Sequence, residues 1–248
     1  MKQINCQLII VMMLSIVSFL YSKEVEINSA DKNVTKYESI YANFYFPNLG
    51  NANKLANEFG FDKIDFASNF AIEAKRSIRG SDWYFGAMLA FPVFSTTKEN
   101  LLYNLNDEAI VDRFLEYSVL QAGFSLDRKF ALYHKLNAFT GLTFGFTSQK
   151  LTLTQFEQGY FWNIDDNEHF NNFSYSYVLQ NFYIQPHLQL LYQLIEGHHL
   201  RLEVGYVLDF LNNSKWRMQY DSLSKEISGA PKSNINGLTL NLGWSKSF

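Results

Sequence analysis

Apolar and polar residues alternate with a period of two through segment after segment of this chain, and no other feature constrains its fold as strongly. In the last segment Leu240, Leu242 and Trp244 occupy one face, and Thr239 and Asn241 occupy the other. A period of two is that of a half-buried β-strand, whereas a helix repeats every 3.6 residues. The pattern therefore predicts an all-β protein.

The connections between these segments alternate strictly in length. Short turns are predicted at Arg79 to Ser81, around Arg128 and around Gly197, and every other connection is long. Alternate connections of an up-and-down barrel lie at the same end, so the turns and both chain ends would share one rim. The eight segments that we interpret as strands are 38–46, 62–78, 82–95, 112–127, 130–150, 173–194, 198–219 and 234–248.

Composition narrows the class of protein further. A chain of 248 residues fits one large all-β domain, and a formal net charge of -3 gives no basic field for nucleic acid. Residues 1–22, with Lys2 before an apolar run, have the form of a secretory signal peptide, and 23–36 would be a periplasmic linker before a barrel at 37–248. The single cysteine, Cys6, lies inside the predicted signal peptide.

The small residues indicate which face points inward. The interior of an eight-stranded barrel is only just wide enough for side chains, so glycine and threonine suit it and the many large apolar side chains do not. We therefore predict that the apolar faces point outward to lipid. Two positions disturb the pattern: Pro186, which predicts a bulge in mid-strand, and the segment 112–127, where Glu116 and Gln121 imply opposite faces and a second bulge.

The final strand, apolar at alternate positions and ending on Phe248, resembles the C-terminal insertion signature of bacterial outer membrane barrels. With eight strands and alternating connections, residues 37–248 resemble the small OmpA-type and OmpX-type barrel superfamily. The resemblance implies an outer membrane location, extracellular long loops, and outer membrane lipid, lipopolysaccharide and the barrel-assembly machinery as partners. Lys246 departs from the signature, which the resemblance places at Leu240, Leu242, Trp244 and Phe248.

The inward faces carry charges that would be costly to bury singly, so they should pair into a network across the lumen. Such an interior predicts a plug, with a gated ion path as the alternative. The residues predicted to form this lumen network are Asp65, Glu73, Lys75, Lys135, His187, Arg201, Glu203 and Asp209.

The long connections hold further candidates. The stretch "NANKLANEFG" before Phe61 has helical spacing and predicts a short amphipathic helix at the barrel mouth. Asp165, Asp166, Glu168 and His169 could hold a divalent cation, but they match no known ligand spacing, so we predict no metal or cofactor.

No nucleophile motif accompanies the histidines, and we predict that the chain is not an enzyme. The sequence favours an envelope-structural role or a role in surface interaction with an extracellular ligand or surface. A narrow channel for ions or small solutes is the main alternative, and a lipid-modifying enzyme is a weaker one.

Overall fold

The structure is a computed structural model that describes residues 35–58, 60–79, 81–94, 96–103, 109–157, 173–210, 216–220, 223–226 and 235–248. The predicted signal peptide and all but the end of the linker lie outside these residues, as do the loop candidates Asp165, Asp166, Glu168 and His169. Within the part of the chain that is described, no helix is long and apolar enough to cross a bilayer.

Strands account for nearly all of the regular structure. One helix, α1, spans Gly50–Glu58. The strands are β1 (Lys36–Pro47), β2 (Ala67–Ser77), β3 (Trp83–Phe94), β4 (Thr96–Tyr103), β5 (Ala109–Tyr133), β6 (Leu136–Glu157), β7 (Phe173–Ile195), β8 (His198–Asp209), β9 (Arg217–Tyr220), β10 (Leu223–Glu226) and β11 (Gly237–Ser247).

Eight of these strands close into a ring in the order β1-β2-β3-β5-β6-β7-β8-β11, and β11 pairs with β1 from Tyr37↔Ser247 to Pro47↔Gly237. Every pairing around the ring is antiparallel. The predicted eight-stranded antiparallel up-and-down barrel is confirmed. Both described chain ends meet at one rim, where Lys36 N donates to Phe248 O at 3.3 Å and Phe248 N donates to Lys36 O at 3.0 Å.

The short turns lie at that same rim, which we call the turn rim; the opposite end is the loop rim. Two of the three turns are where the sequence predicts them, with positive φ at Arg79 and Gly197. The turn predicted around Arg128 is wrong, because β5 runs on to Tyr133 and turns at His134 and Lys135. The charged "DRK" sequence is strand: Asp127 is buried, Arg128 is exposed and both keep their partners on β6.

Neither predicted bulge is present. The β7–β8 register is the same before Pro186, at Ile184↔Leu208, and after it, at His187↔Gly205, so the ladder loses hydrogen bonds there without inserting a residue. β5 keeps one register against β6 from Val111 to Ala131. A register shift does occur between β2 and β3 at Ser68 and Asn69, opposite the other strand proline, Pro92.

Large apolar side chains cover the outside of the barrel on its turn-rim side. On β8 and the residue that follows it, every second residue from Leu200 to Phe210 is apolar and exposed. Ten residue steps at about 3.4 Å, tilted by about 40°, make a band roughly 26 Å high, close to that of membrane-spanning barrels. A contiguous apolar exterior of this size is suited to lipid and not to water.

Along β5, β6 and β7, toward the loop rim, the outward face changes from apolar to polar and the inward face changes from polar to apolar. On the turn-rim side of β6, Leu142 and Phe144 point outward and Thr143 and Thr147 are buried; further along, Lys150 is exposed. The inward positions become apolar beyond the same level, where the buried residues are Leu115, Tyr117, Val119, Leu151, Leu153, Tyr177 and Leu179. The exchange occurs on all three strands in one row of the ladder, where Val119 pairs with Gln149 and Gln149 with Leu179.

Candidate functional site

A cluster of buried ionisable side chains fills the interior in the turn-rim half of the barrel. Alternation along the strands explains how the members meet, because residues two apart share a face. β2 supplies two members, β8 supplies two, and β5 and β7 supply one each. The members of this interior cluster are Glu73, Lys75, Asp127, His187, Arg201 and Glu203.

Lys75 joins the β2 side of the cluster to β5 and β7. Its Nζ lies 3.2 Å from Glu73 Oε1 and 2.9 Å from Asp127 Oδ2, and it donates to Gln189 Oε1 at 2.7 Å. The ammonium group thus has two carboxylates within ion-pair distance and one hydrogen-bonded amide oxygen. A lysine that is 4% exposed is tolerated because its charge is matched in this way.

Arg201 occupies the centre of the cluster and is the largest fully buried side chain, at 0% exposure. Its guanidinium pairs with Glu73 and with Glu203. The guanidinium carbon also lies 3.9 Å from the centroid of the Tyr41 ring. Arg201 therefore ties β8 to β2 and β1 across the interior, and Glu203 is held further by Asn241 Nδ2 at 2.8 Å.

Asp127 and His187 form the third connection. His187 Nε2 lies 2.5 Å from Asp127 Oδ1, and Nδ1 lies 3.4 Å from Thr143 Oγ1 and 3.4 Å from the backbone oxygen of Gln185. Three carboxylates face two permanent cations in the cluster, so a proton on His187 would bring it to neutrality. All six groups are buried, so the arrangement links strands by charge and presents no nucleophile to solvent.

Five of the residues predicted to form the lumen network meet in this cluster, and three do not. Asp209 is half-buried at the end of β8, where its Oδ2 accepts from Asn181 Nδ2 at 2.8 Å. The prediction is wrong for Asp65 and Lys135. Asp65 precedes β2 and lies 3.9 Å from Lys63 at the surface, and Lys135 is exposed in a turn. Both lie beyond the ends of their strands, so strand alternation does not direct them inward.

Sequence reasoning missed Asp127. The turn predicted around Arg128 placed it at the last residue of the segment 112–127, although it continues the inward series of Gly123 and Ser125. An unbroken alternation from Gln121 to Asp127 was the available signal. Its burial is complete, at 0% exposure.

An apolar core occupies the interior on the loop-rim side of the cluster. Inward residues of β5, β6 and β7 pack there with Tyr45, Leu49, Ala56, Phe61 and Ile64. Helix α1 begins at Gly50, so the predicted helix at the mouth is present. The Asn53 side chain joins α1 to the backbone of Ile64: its Nδ2 donates to Ile64 O at 3.1 Å, and its Oδ1 accepts from Ile64 N at 2.8 Å.

The residues that match the insertion signature all face outward on β11 or just after it: Leu240, Leu242, Trp244 and Phe248 are exposed. Lys246 lies with its Nζ 4.4 Å from the Phe248 ring centroid. Their role in recognition stays a prediction. Among the residues described, no group of three or more His, Cys, Asp or Glu side chains is placed to hold a metal ion.

No family model matches this chain, and no curated protein does. Solved structures of outer membrane proteins do match. OprG from Pseudomonas aeruginosa is 14% identical with a TM-score of 0.49, and the match covers 88% of this chain and 98% of that chain. A major outer membrane protein from Thermus thermophilus is 12% identical with a TM-score of 0.49, over 86% of this chain and 99% of that one. Neisserial surface protein A is 9% identical with a TM-score of 0.41, over 86% and 94%. At these identities the similarity is one of fold.

Proposed function

We propose that this chain spans the outer membrane of a bacterium as a barrel with a closed lumen, and that it serves the envelope structurally or through interactions at the cell surface. The turn rim faces the periplasm and the loop rim faces the outside, as short turns and long loops are distributed in barrels of this kind. The role requires no catalysis and no cofactor. Lipid and lipopolysaccharide surround the barrel, and the barrel-assembly machinery inserts it.

One observation carries the closed lumen: two different layers of buried side chains follow one another along the axis. The interior cluster crosses the turn-rim half with the fully buried Arg201 at its centre. The apolar core follows, covered by α1 and the Phe61–Ile64 segment. An ion would meet an apolar layer after the charged layer, and an eight-stranded barrel leaves little room beside its own side chains.

The loop-rim half supports a role at the surface. β5, β6 and β7 continue beyond the level of Val119, Gln149 and Leu179, and their outer faces there carry Glu116, Lys150 and serines, as a surface in water does. β4, β9 and β10 extend the same sheet. A folded sheet that stands clear of the apolar band supports an interaction with an extracellular ligand or surface.

Conductance in a planar bilayer tests the closed lumen. The refolded chain should insert without steady current at several salt concentrations, and so should Arg201→Ala, because the apolar core still closes the barrel. Heat-dependent migration on gels and a strand signal in circular dichroism establish that each sample is folded. Steady ohmic current from the unmodified chain would refute the closed lumen.

A narrow ion channel is the second candidate, and buried polar atoms favour it. Gln121, Gln149 and Gln185 each have a buried side-chain atom with no protein partner among the residues described, which indicates a hydrated interior. This candidate predicts current that changes in Arg201→Ala or Glu203→Ala and stays the same in Glu38→Ala. Glu38 is the matched control because it points outward on β1.

The surface role has its own test. Shortening the connection 158–172 between β6 and β7, and separately the connection 227–234 before β11, should abolish adherence of expressing cells to host-derived surfaces. Both variants should still show heat-dependent migration, because the ring strands are untouched. Undiminished adherence in both, with folding intact, would count against a binding role for these connections.

A further inference from the structure

Four cations and one carboxylate occupy outward positions of the strands near the turn rim, where they lie among exposed apolar side chains such as Ile78 and Phe130. These outward charges are Lys36, Glu38, Arg76, Arg128 and Lys246. On the loop-rim side, by contrast, the outward charges of β5 and β6 include both signs, with Glu116 and Lys150. Among the described strand residues, the outward charge near the turn rim is therefore mostly positive. We call Arg76, Arg128 and Lys246 the basic collar.

Arg128 is held against aromatic rings and not against an acid. It lies opposite Trp83 in the β3–β5 register, and its guanidinium carbon is 5.9 Å from the Trp83 ring centroid and 5.3 Å from that of Phe130. Among the residues described, no carboxylate lies within ion-pair distance of it. Ring faces satisfy the charge in part but accept none of the five N–H donors.

Lys246 also lies against an aromatic ring and not against an acid. Glu38 lies directly opposite it in the β1–β11 register, yet no ion pair joins them in the described part of the chain, and the ammonium group lies over the Phe248 ring. Arg76 pairs with Phe85 on β3, and Phe85 pairs with Leu126, two residues before Arg128. Two strand spacings and this two-residue offset put Arg76 roughly 12 Å from Arg128. The donors of the collar are thus left to meet an external acceptor.

We propose that the basic collar binds the phosphate groups of anionic phospholipid in the leaflet at the turn rim. This rests on the membrane placement proposed above. The acyl chains would lie against the apolar band, with Phe85 and Trp83 at the level of the glycerol backbone. The phosphate would accept from the guanidinium groups, whose planar donors match phosphate geometry. A headgroup with net negative charge fits the collar better than a zwitterionic one, whose own cation would be repelled.

Electron paramagnetic resonance of spin-labelled lipids tests the proposal on the full chain refolded into phosphatidylcholine vesicles. The fraction of motionally restricted label is compared between phosphatidylglycerol and phosphatidylcholine. We expect a preference for phosphatidylglycerol of up to roughly fivefold for each collar cation, decreasing with added salt. Arg128→Gln should lower it, the Arg76→Gln/Arg128→Gln/Lys246→Gln variant should remove it, and Arg128→Lys should keep most of it.

Lys150→Gln is the matched control, since it removes one outward cation on the loop-rim side. Equal losses in Lys150→Gln and Arg128→Gln, or a preference that survives in the triple variant, would overturn the proposal. So would tighter association with lipopolysaccharide than with phosphatidylglycerol. If the chain does not insert at all, as judged by heat-dependent migration, the membrane placement itself fails; insertion without lipid preference refutes only the collar.

Discussion

Replacing Arg201 by methionine should be among the most damaging single changes in the barrel. The substitution keeps a long apolar stem but removes the cation shared by Glu73 and Glu203, both of which are buried. Breaking a buried ion pair by removing one partner typically costs about 3–5 kcal/mol, because the remaining charge is left without compensation. We expect a loss of that size in the free energy of unfolding from phospholipid vesicles, measured by urea titration with tryptophan fluorescence.

The structure also predicts which second change restores stability. Glu73 keeps an ion pair with Lys75 at 3.2 Å, whereas Glu203 keeps only the Asn241 amide at 2.8 Å, among the contacts described. Neutralising Glu203 in Arg201→Met/Glu203→Gln should therefore recover more stability than Arg201→Met/Glu73→Gln does. A loss below about 1 kcal/mol for Arg201→Met, or the reverse order of rescue, would show that the cluster is solvated and not an interlocked buried network.

Three other changes probe the remaining layers. Val204→Arg, near the middle of the apolar exterior on β8, should cost about 2–4 kcal/mol in the same titration, well above Val204→Ala. Gly145→Val should lower the folded fraction on gels, because a Cβ at that position would lie 2.6 Å from Tyr183 Cε1. Asn53→Ala should speed hydrogen exchange in α1 while leaving the β-ladders protected, since it removes both hydrogen bonds to Ile64; unchanged exchange would contradict that anchoring role.

The barrel could be predicted because its two determinants are local. Period-two alternation identifies strands one at a time, and connection length assigns them to rims, so neither needs a long-range contact. The prediction failed where one local sequence pattern fits both a turn and a strand. Charged residues such as those around Arg128 occur in turns and also at outward positions of strands, and only the ladder with β6 shows that β5 continues to Tyr133.

Most members of the interior cluster could be predicted from the alternation within each strand, but the pairing of their charges could not. Inward alternation selects Glu73, Lys75, Arg201 and Glu203, but which cation meets which carboxylate depends on strand tilt and register around the ring. Those are properties of the closed barrel, set by pairings such as Asn241↔Glu203 and Lys75↔Gly86. Asp65 shows the limit of alternation, because it stands two residues before β2 begins and its side chain pairs at the surface.

The apparent conflict in β5 has a physical cause that the sequence already contained. Glu116 and Gln121 are both polar, but one points outward and the other inward with no bulge between them. A single regular strand can show this only if its surroundings change from apolar outside to aqueous outside along its length. β6 and β7 make the same exchange at the residues level with Val119, namely Gln149 and Leu179. Three strands of independent sequence thus exchange polarity in one row of the ladder, as expected where an apolar surrounding gives way to an aqueous one.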